Sequence, residues 1–141
     1  MTKWVLGTND GKNLLSRERT GKSGEVILTD RPTSAEIFTS EEDCKSLAEE
    51  TGLNMYEMIL WHIDPEGSEL DPDSEYADCW AVLALNQGYQ IYYMANRSSD
   101  NYYDDSFNLN SRFELAELLR MKNCKYIARR TGLDIYMVRF E

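Results

Sequence analysis

The chain has 141 residues, 25 acidic against 15 basic side chains, and a formal charge of −10. That surplus of carboxylates excludes sequence-independent binding of nucleic acid by the whole chain, which runs on Lys and Arg. Hydrophobic residues at 42% and aromatics at 11% exclude a disordered tail, and no apolar run approaches the roughly 18 residues of a membrane span.

The first residues lack the apolar core and cleavage site of a signal peptide. Three cysteines, an odd number, make no disulfide framework and point to a reducing, cytoplasmic setting.

In chain order, Trp4, Val5 and Leu6 open a strand over 4–7. Asn9-Asp10-Gly11 is a hairpin signal, because Asn, Asp and Gly suit tight turns. Thr20-Gly21-Lys22-Ser23-Gly24 contains Gly-Lys-Ser, but Ser16 stands where a phosphate loop needs its first glycine. It reads as a hairpin loop leading into a strand over 25–29. Ser40 ahead of Glu41-Glu42-Asp43 is a helix start: a serine cap, then acids at the positive pole. Cys44, Leu47, Ala48 and Thr51 recur at helical spacing as a buried stripe, and Gly52 closes the helix. The stretch 55–63 reads as a strand.

A second set of elements follows an acid-rich joint. Strands are expected over 80–85 and 89–95, with Asn86-Gln87-Gly88 as a weaker turn. A polar, tyrosine-rich hairpin tip or loop covers 98–108. A long helical region, broken near Met121, is expected over 111–131, burying Cys124, Ile127 and Ala128. The β-branched and aromatic run 135–140 reads as a strand.

The two sets match in sequence. Residues 44–56 and 124–136 align with a constant offset, and the identical pairs are Cys44/Cys124, Lys45/Lys125, Ala48/Ala128, Thr51/Thr131, Gly52/Gly132, Leu53/Leu133 and Tyr56/Tyr136. Ala35-x-x-Phe38 resembles Ala116-x-x-Leu119, and Trp4 resembles Trp80. The expected fold is therefore α+β: two tandem β-β-(β)-α-β modules over 1–64 and 79–141. Their antiparallel sheet or sheets carry helices on one face. Residues 65–78 form the joint, read as a solvated acidic linker.

Motifs for chemistry are sparse. The segments 45–61 and 125–141 resemble the helix-turn-helix pattern, with Ala48 or Ala128 in the first helix and Gly52 or Gly132 in the turn. Met58 and Trp61 stand at the later apolar places. That resemblance implies a DNA-binding regulator, an alternative opposed by the strand propensity of 135–140 and by the lack of Lys or Arg after Gly52. His62 is the single histidine and reads as a half-exposed strand residue; Cys44 and Cys124 read as core. No metal-ligand spacing and no nucleophile motif is present, so neither an enzyme nor a cofactor is expected. A small ligand-binding domain or enzyme with a site between the repeats is the further alternative.

Charge patterning is the stronger signal. The joint carries Asp64, Glu66, Glu69, Asp71, Asp73, Glu75 and Asp78. Asp100, Tyr102, Tyr103, Asp104 and Asp105, with Tyr92, Tyr93 and Phe107 nearby, interleave acids with contact-rich aromatics. The first helix is net negative, whereas Arg120, Lys122, Lys125, Arg129 and Arg130 make the second net positive. Such polarity suits an acidic face that binds a basic protein surface, that of a nucleic-acid-binding partner, with no membrane and no direct nucleic-acid contact.

Trp4, Gly11, Ala35, Phe38, Ser40, Glu41, Glu42 and Cys44 together resemble small modules of phage and mobile-element accessory proteins. The resemblance covers most of the first module and fades in the second. It implies a protein that binds and blocks a host defence protein, as anti-CRISPR proteins do, and it implies no catalytic residue.

Overall fold

Side chains alternate along the first strand, β1 (Lys3–Gly7), and that alternation divides the apolar residues around it into two clusters. Leu6, Leu15, Phe38 and Cys44 pack together with Trp4, Leu47, Ala48, Leu53 and Met55. Val5, Leu14 and Ala35 pack with Ile37, Tyr56 and Phe140.

The structure is a computed structural model and describes residues 2–95 and 107–141. Within those residues the fold is mixed α/β, with nine mostly antiparallel strands and two short helices. The chain divides into a first unit, Met1–Ile59 with Arg139–Glu141, and a second unit, Leu60–Val138.

In the first unit, β1 pairs antiparallel with β2 (Leu14–Thr20) and with β4 (Asn54–Ile63), and β2 pairs with β3 (Val26–Thr29). The turn after β1 is built by Asp10, whose carboxylate accepts hydrogen bonds from Thr8 Oγ1 at 2.6 Å and from the Lys12 amide at 3.0 Å. The Gly-Lys-Ser segment is a hairpin turn, as its sequence suggests: the Gly21 amide bonds the Glu25 carbonyl at 2.8 Å. β2 carries a register irregularity between Leu15 and Thr20, where Arg19 takes φ 60°. Helix α1 (Glu41–Thr51) starts at Ser40, whose Oγ accepts the Asp43 amide hydrogen bond at 3.3 Å. It ends at Gly52, left-handed at φ 77°, a conformation that costs a residue with a Cβ roughly 1–2 kcal/mol.

In the second unit, β5 (Trp80–Asn86) pairs antiparallel with β6 (Ile91–Ala95), β8 (Leu119–Arg120) and β9 (Asp134–Phe140), and β6 pairs with β7 (Asn108–Asn110). Ala81, Leu83, Met94, Ile127, Ile135 and Met137 form the centre of one cluster beneath helix α2 (Cys124–Thr131).

The long helix expected over 111–131 is corrected to α2 alone. Residues Phe113–Leu115 and Met121–Asn123 are single 3-10 turns, and Leu119–Arg120 is a strand. The Glu117 amide bonds the Met94 carbonyl at 2.9 Å, and the Met121 amide bonds the Cys79 carbonyl at 3.0 Å. These distant partners outcompete local helical propensity. The segments after Gly52 and Gly132 are the strands β4 and β9, so the second helix of the helix-turn-helix reading is absent from both.

Candidate functional site

The acidic segment 64–78 is a succession of tight turns rather than a free linker. Asp64 accepts the Glu66 amide at 2.9 Å, the Asp71 amide bonds the Ser68 carbonyl at 3.0 Å, and the Ala77 amide bonds the Ser74 carbonyl at 3.1 Å. Leu70 and Ala77, each 4% exposed, anchor it. Leu70 is part of the core cluster of the second unit, and Tyr76 and Cys79 pack against that cluster. Burial of these side chains offsets the entropy of ordering a chain so rich in charge.

Two of its acids are neutralised internally. Glu66 accepts a hydrogen bond from Arg129 Nε at 3.0 Å and lies 3.4 Å from Lys125 Nζ. The Arg129 guanidinium and the Lys125 ammonium hold its carboxyl below the usual glutamate range. Asp78 pairs with Lys122 at 3.0 Å, which lowers its carboxyl likewise, and its carbonyl accepts from Arg120 at 2.6 Å. The basic character of the second helical region is thus partly spent on the acidic segment next to it.

Glu69, Asp71, Asp73 and Glu75 remain, and with Ser68, Ser74 and Tyr76 they line one depression of about 390 Å³. Asp64 is exposed beside it in sequence. Asp100, Tyr102, Tyr103, Asp104 and Asp105 lie outside the described residues. Their aromatic neighbours are buried to different degrees. Tyr93 is buried with its ring 5.4 Å from Phe113, Tyr92 is half-buried, and Phe107 packs against the core.

A second carboxylate surface is on α1, where Glu41, Glu42, Asp43, Glu49 and Glu50 are all exposed. It borders a cavity of about 470 Å³ whose lining includes Arg19, Glu36, Phe38, Asp43, Leu47 and Glu50. Arg19 bonds Glu36 at 2.7 Å with its guanidinium 5.8 Å above the Phe38 ring. Sequence reasoning registered the negative helix but did not single out these residues. The signal available was local: Glu49 and Glu50 sit at a helix end that favours cations.

His62 is half-exposed on β4, its Nε2 lies 3.5 Å from Asp134 Oδ1, and its ring meets Tyr136 edge-on at 5.3 Å. Among the described residues, the side-chain hydrogen bonds of this pair reach no hydroxyl or thiol. Cys44 and Cys124 are buried, and desolvation pushes their thiols up to about 11 and about 12. Among the described residues no three His, Cys, Asp or Glu side chains gather as a metal site requires, and no helix is long and apolar enough to cross a membrane. Comparison with protein-family models, with curated proteins and with solved structures finds no match to the chain.

Proposed function

We propose that this chain is a non-enzymatic acidic interaction module that occupies a basic surface of a nucleic-acid-binding protein, presenting carboxylates where that surface accepts phosphates. The observation that carries the reading is the set Glu69, Asp71, Asp73 and Glu75. Four carboxylates with no cation of the chain within ion-pair distance, among the described residues, surround one depression on a segment fixed by Leu70 and Ala77. A floppy acidic tail would have to be ordered on binding, whereas a pre-ordered one avoids that cost. An inhibitor of the kind suggested by the mobile-element resemblance would act in this way. A cytoplasmic setting belongs to the same reading, and the three cysteines, none of them in a disulfide, support it.

Residues 1–64 and 79–141 are further read as two tandem copies of one β-β-(β)-α-β module. Support comes from bonds repeated at equivalent places. Thr51 Oγ1 donates to the Leu47 carbonyl at 2.8 Å and Thr131 Oγ1 to the Ile127 carbonyl at 2.8 Å. The Leu53 and Leu133 amides each donate to the preceding threonine hydroxyl at 3.3 Å. Gly52 and Gly132 both close their helices left-handed.

The test of the functional reading is affinity capture of basic proteins at low and at high salt. Capture that weakens steeply with salt, and is lost with Asp71→Asn/Asp73→Asn, supports it. Capture indifferent to salt removes the charge argument.

A further inference from the structure

Strand β3 is the outermost strand of the first unit. It pairs with β2 on one side, and among the described residues no strand pairs with the other. Two bonds show which backbone groups face that open side. The Leu15 carbonyl accepts from the Glu36 amide at 2.8 Å, away from β3. Leu15 and Leu28, which lie opposite each other, are therefore a non-hydrogen-bonded pair, and the Leu28 amide and carbonyl point outward. The Glu25 carbonyl accepts from the Gly21 amide at 2.8 Å and so points inward, which turns the backbone groups of Val26 outward. Val26 and Leu28 thus offer donors and acceptors ready for another strand.

The usual guards of such an edge are missing. Val26-Ile27-Leu28 holds no charge and no proline, and the register irregularity of this hairpin lies on β2. Val26 and Leu28 are 37% and 41% exposed, on the face that carries buried Leu15. Ile27 is half-buried on the other face.

We infer that β3 is an interaction surface for a second copy of this chain, joined edge to edge and antiparallel about a twofold axis at Ile27. The strand itself selects this occupant. Outward groups must meet outward groups, so a symmetric pair can be centred only on a residue: Val26, Ile27 or Leu28. Centring on Val26 sets Ile27 against Glu25, and centring on Leu28 sets Val26 against Asp30. Centring on Ile27 sets Val26 against Leu28 twice and Ile27 against itself, so every central pair is apolar. The same register brings Glu25 diagonal to the second copy's Arg31 on both sides of the axis, within reach of long side chains. Both residues are exposed. Net charge permits the approach, because Arg17, Arg19, Lys22 and Arg31 near this edge offset Glu18, Glu25 and Asp30. A chain of −10 can meet its own copy at such a rim without strong repulsion. The inference is independent of the functional reading.

Sedimentation velocity on the full chain is expected to show a dimer whose share grows with concentration. Leu28→Lys, at an exposed position, brings like charges near each other across the axis. It is expected to weaken dimerisation roughly tenfold and to leave the circular dichroism spectrum unchanged. Glu25→Arg is expected to weaken it as well, and Glu25→Arg/Arg31→Glu to restore it. Cross-linking reads the register. In a Cys79→Ser background, with Cys44 and Cys124 buried, Ile27→Cys sets two thiols opposite each other on Cα atoms about 4.5 Å apart, within disulfide reach. Mild oxidation is expected to link Ile27→Cys faster than Val26→Cys or Leu28→Cys. A chain that stays monomeric at every concentration overturns the inference. So does a dimer that survives Leu28→Lys, or cross-linking led by position 26 or 28.

Discussion

Arg129 Nε donates to Glu66 Oε1 at 3.0 Å across sixty-three residues of sequence. This bond fastens the acidic segment to α2, and Lys125 adds a second cation one helical turn away at 3.4 Å. With the Asp78–Lys122 pair, it separates the acids of that segment into those that reach a cation of the chain and those that do not.

The pairing makes stability depend on pH in a defined direction. The Glu66 carboxyl is held below its ordinary value of 4.5, by the Arg129 hydrogen bond first and then by Lys125. A depressed carboxyl binds its proton less readily in the folded than in the unfolded chain. Its stabilisation is therefore present above the ordinary value and is lost as pH falls through the depressed one. Glu66→Gln is expected to lower the melting temperature slightly at neutral pH and low salt, and to leave it unchanged in strong acid. A difference that persists in acid would assign the effect to packing instead. Both partners are well exposed, so added salt is expected to shrink it.

The anchoring of the acidic segment predicts that Leu70→Ala destabilises the protein by about 2–5 kcal/mol, the usual cost of emptying a buried leucine site. Chemical denaturation measures this directly. A solvated linker would give a change near zero. The same variant is expected to weaken salt-dependent capture, since the unpaired acids lose their fixed geometry.

The two helices differ at their starts. Ser40 caps α1 through the Asp43 amide, while Asn123 ahead of α2 makes no such side-chain bond. Ser40→Ala is expected to cost about 1 kcal/mol, and Asn123→Ala less than about 0.5 kcal/mol. Equal losses in a denaturation series would contradict this.

Cys44 and Cys124 are expected to resist alkylation at pH 8 in the folded protein. Their thiols stay protonated up to about 11 and about 12, and both are fully buried; the thiolate is the reactive form. Cys79, partly exposed, is expected to react first. Mass spectrometry after timed labelling distinguishes the three, and early labelling of Cys124 would show that the second core opens readily.

What was legible in the sequence was what neighbouring residues decide among themselves. Ser40 and the acids after it mark the start of α1, and Gly52 and Gly132 mark the ends of both helices. The β-branched and aromatic run 135–140 marks β9 despite the helix-turn-helix resemblance. Each of these signals acts over a few residues, through a cap, a turn or a period of two.

Tertiary structure decided the rest. Residues 113–123 have helical composition, yet they take an extended and 3-10 course because Met94, Cys79 and Ala77 offer carbonyls that no local reading locates. The joint is rich in acids, yet it is fixed because Leu70 and Ala77 find a core to enter. The net charge of −10 was evident from composition. Its division into paired acids, Glu66 and Asp78, and unpaired ones, Glu69, Asp71, Asp73, Glu75, Asp43 and Glu50, came only from which cation each side chain reaches. Local propensity is set by sequence neighbours, whereas ion pairing and burial are set by neighbours in space.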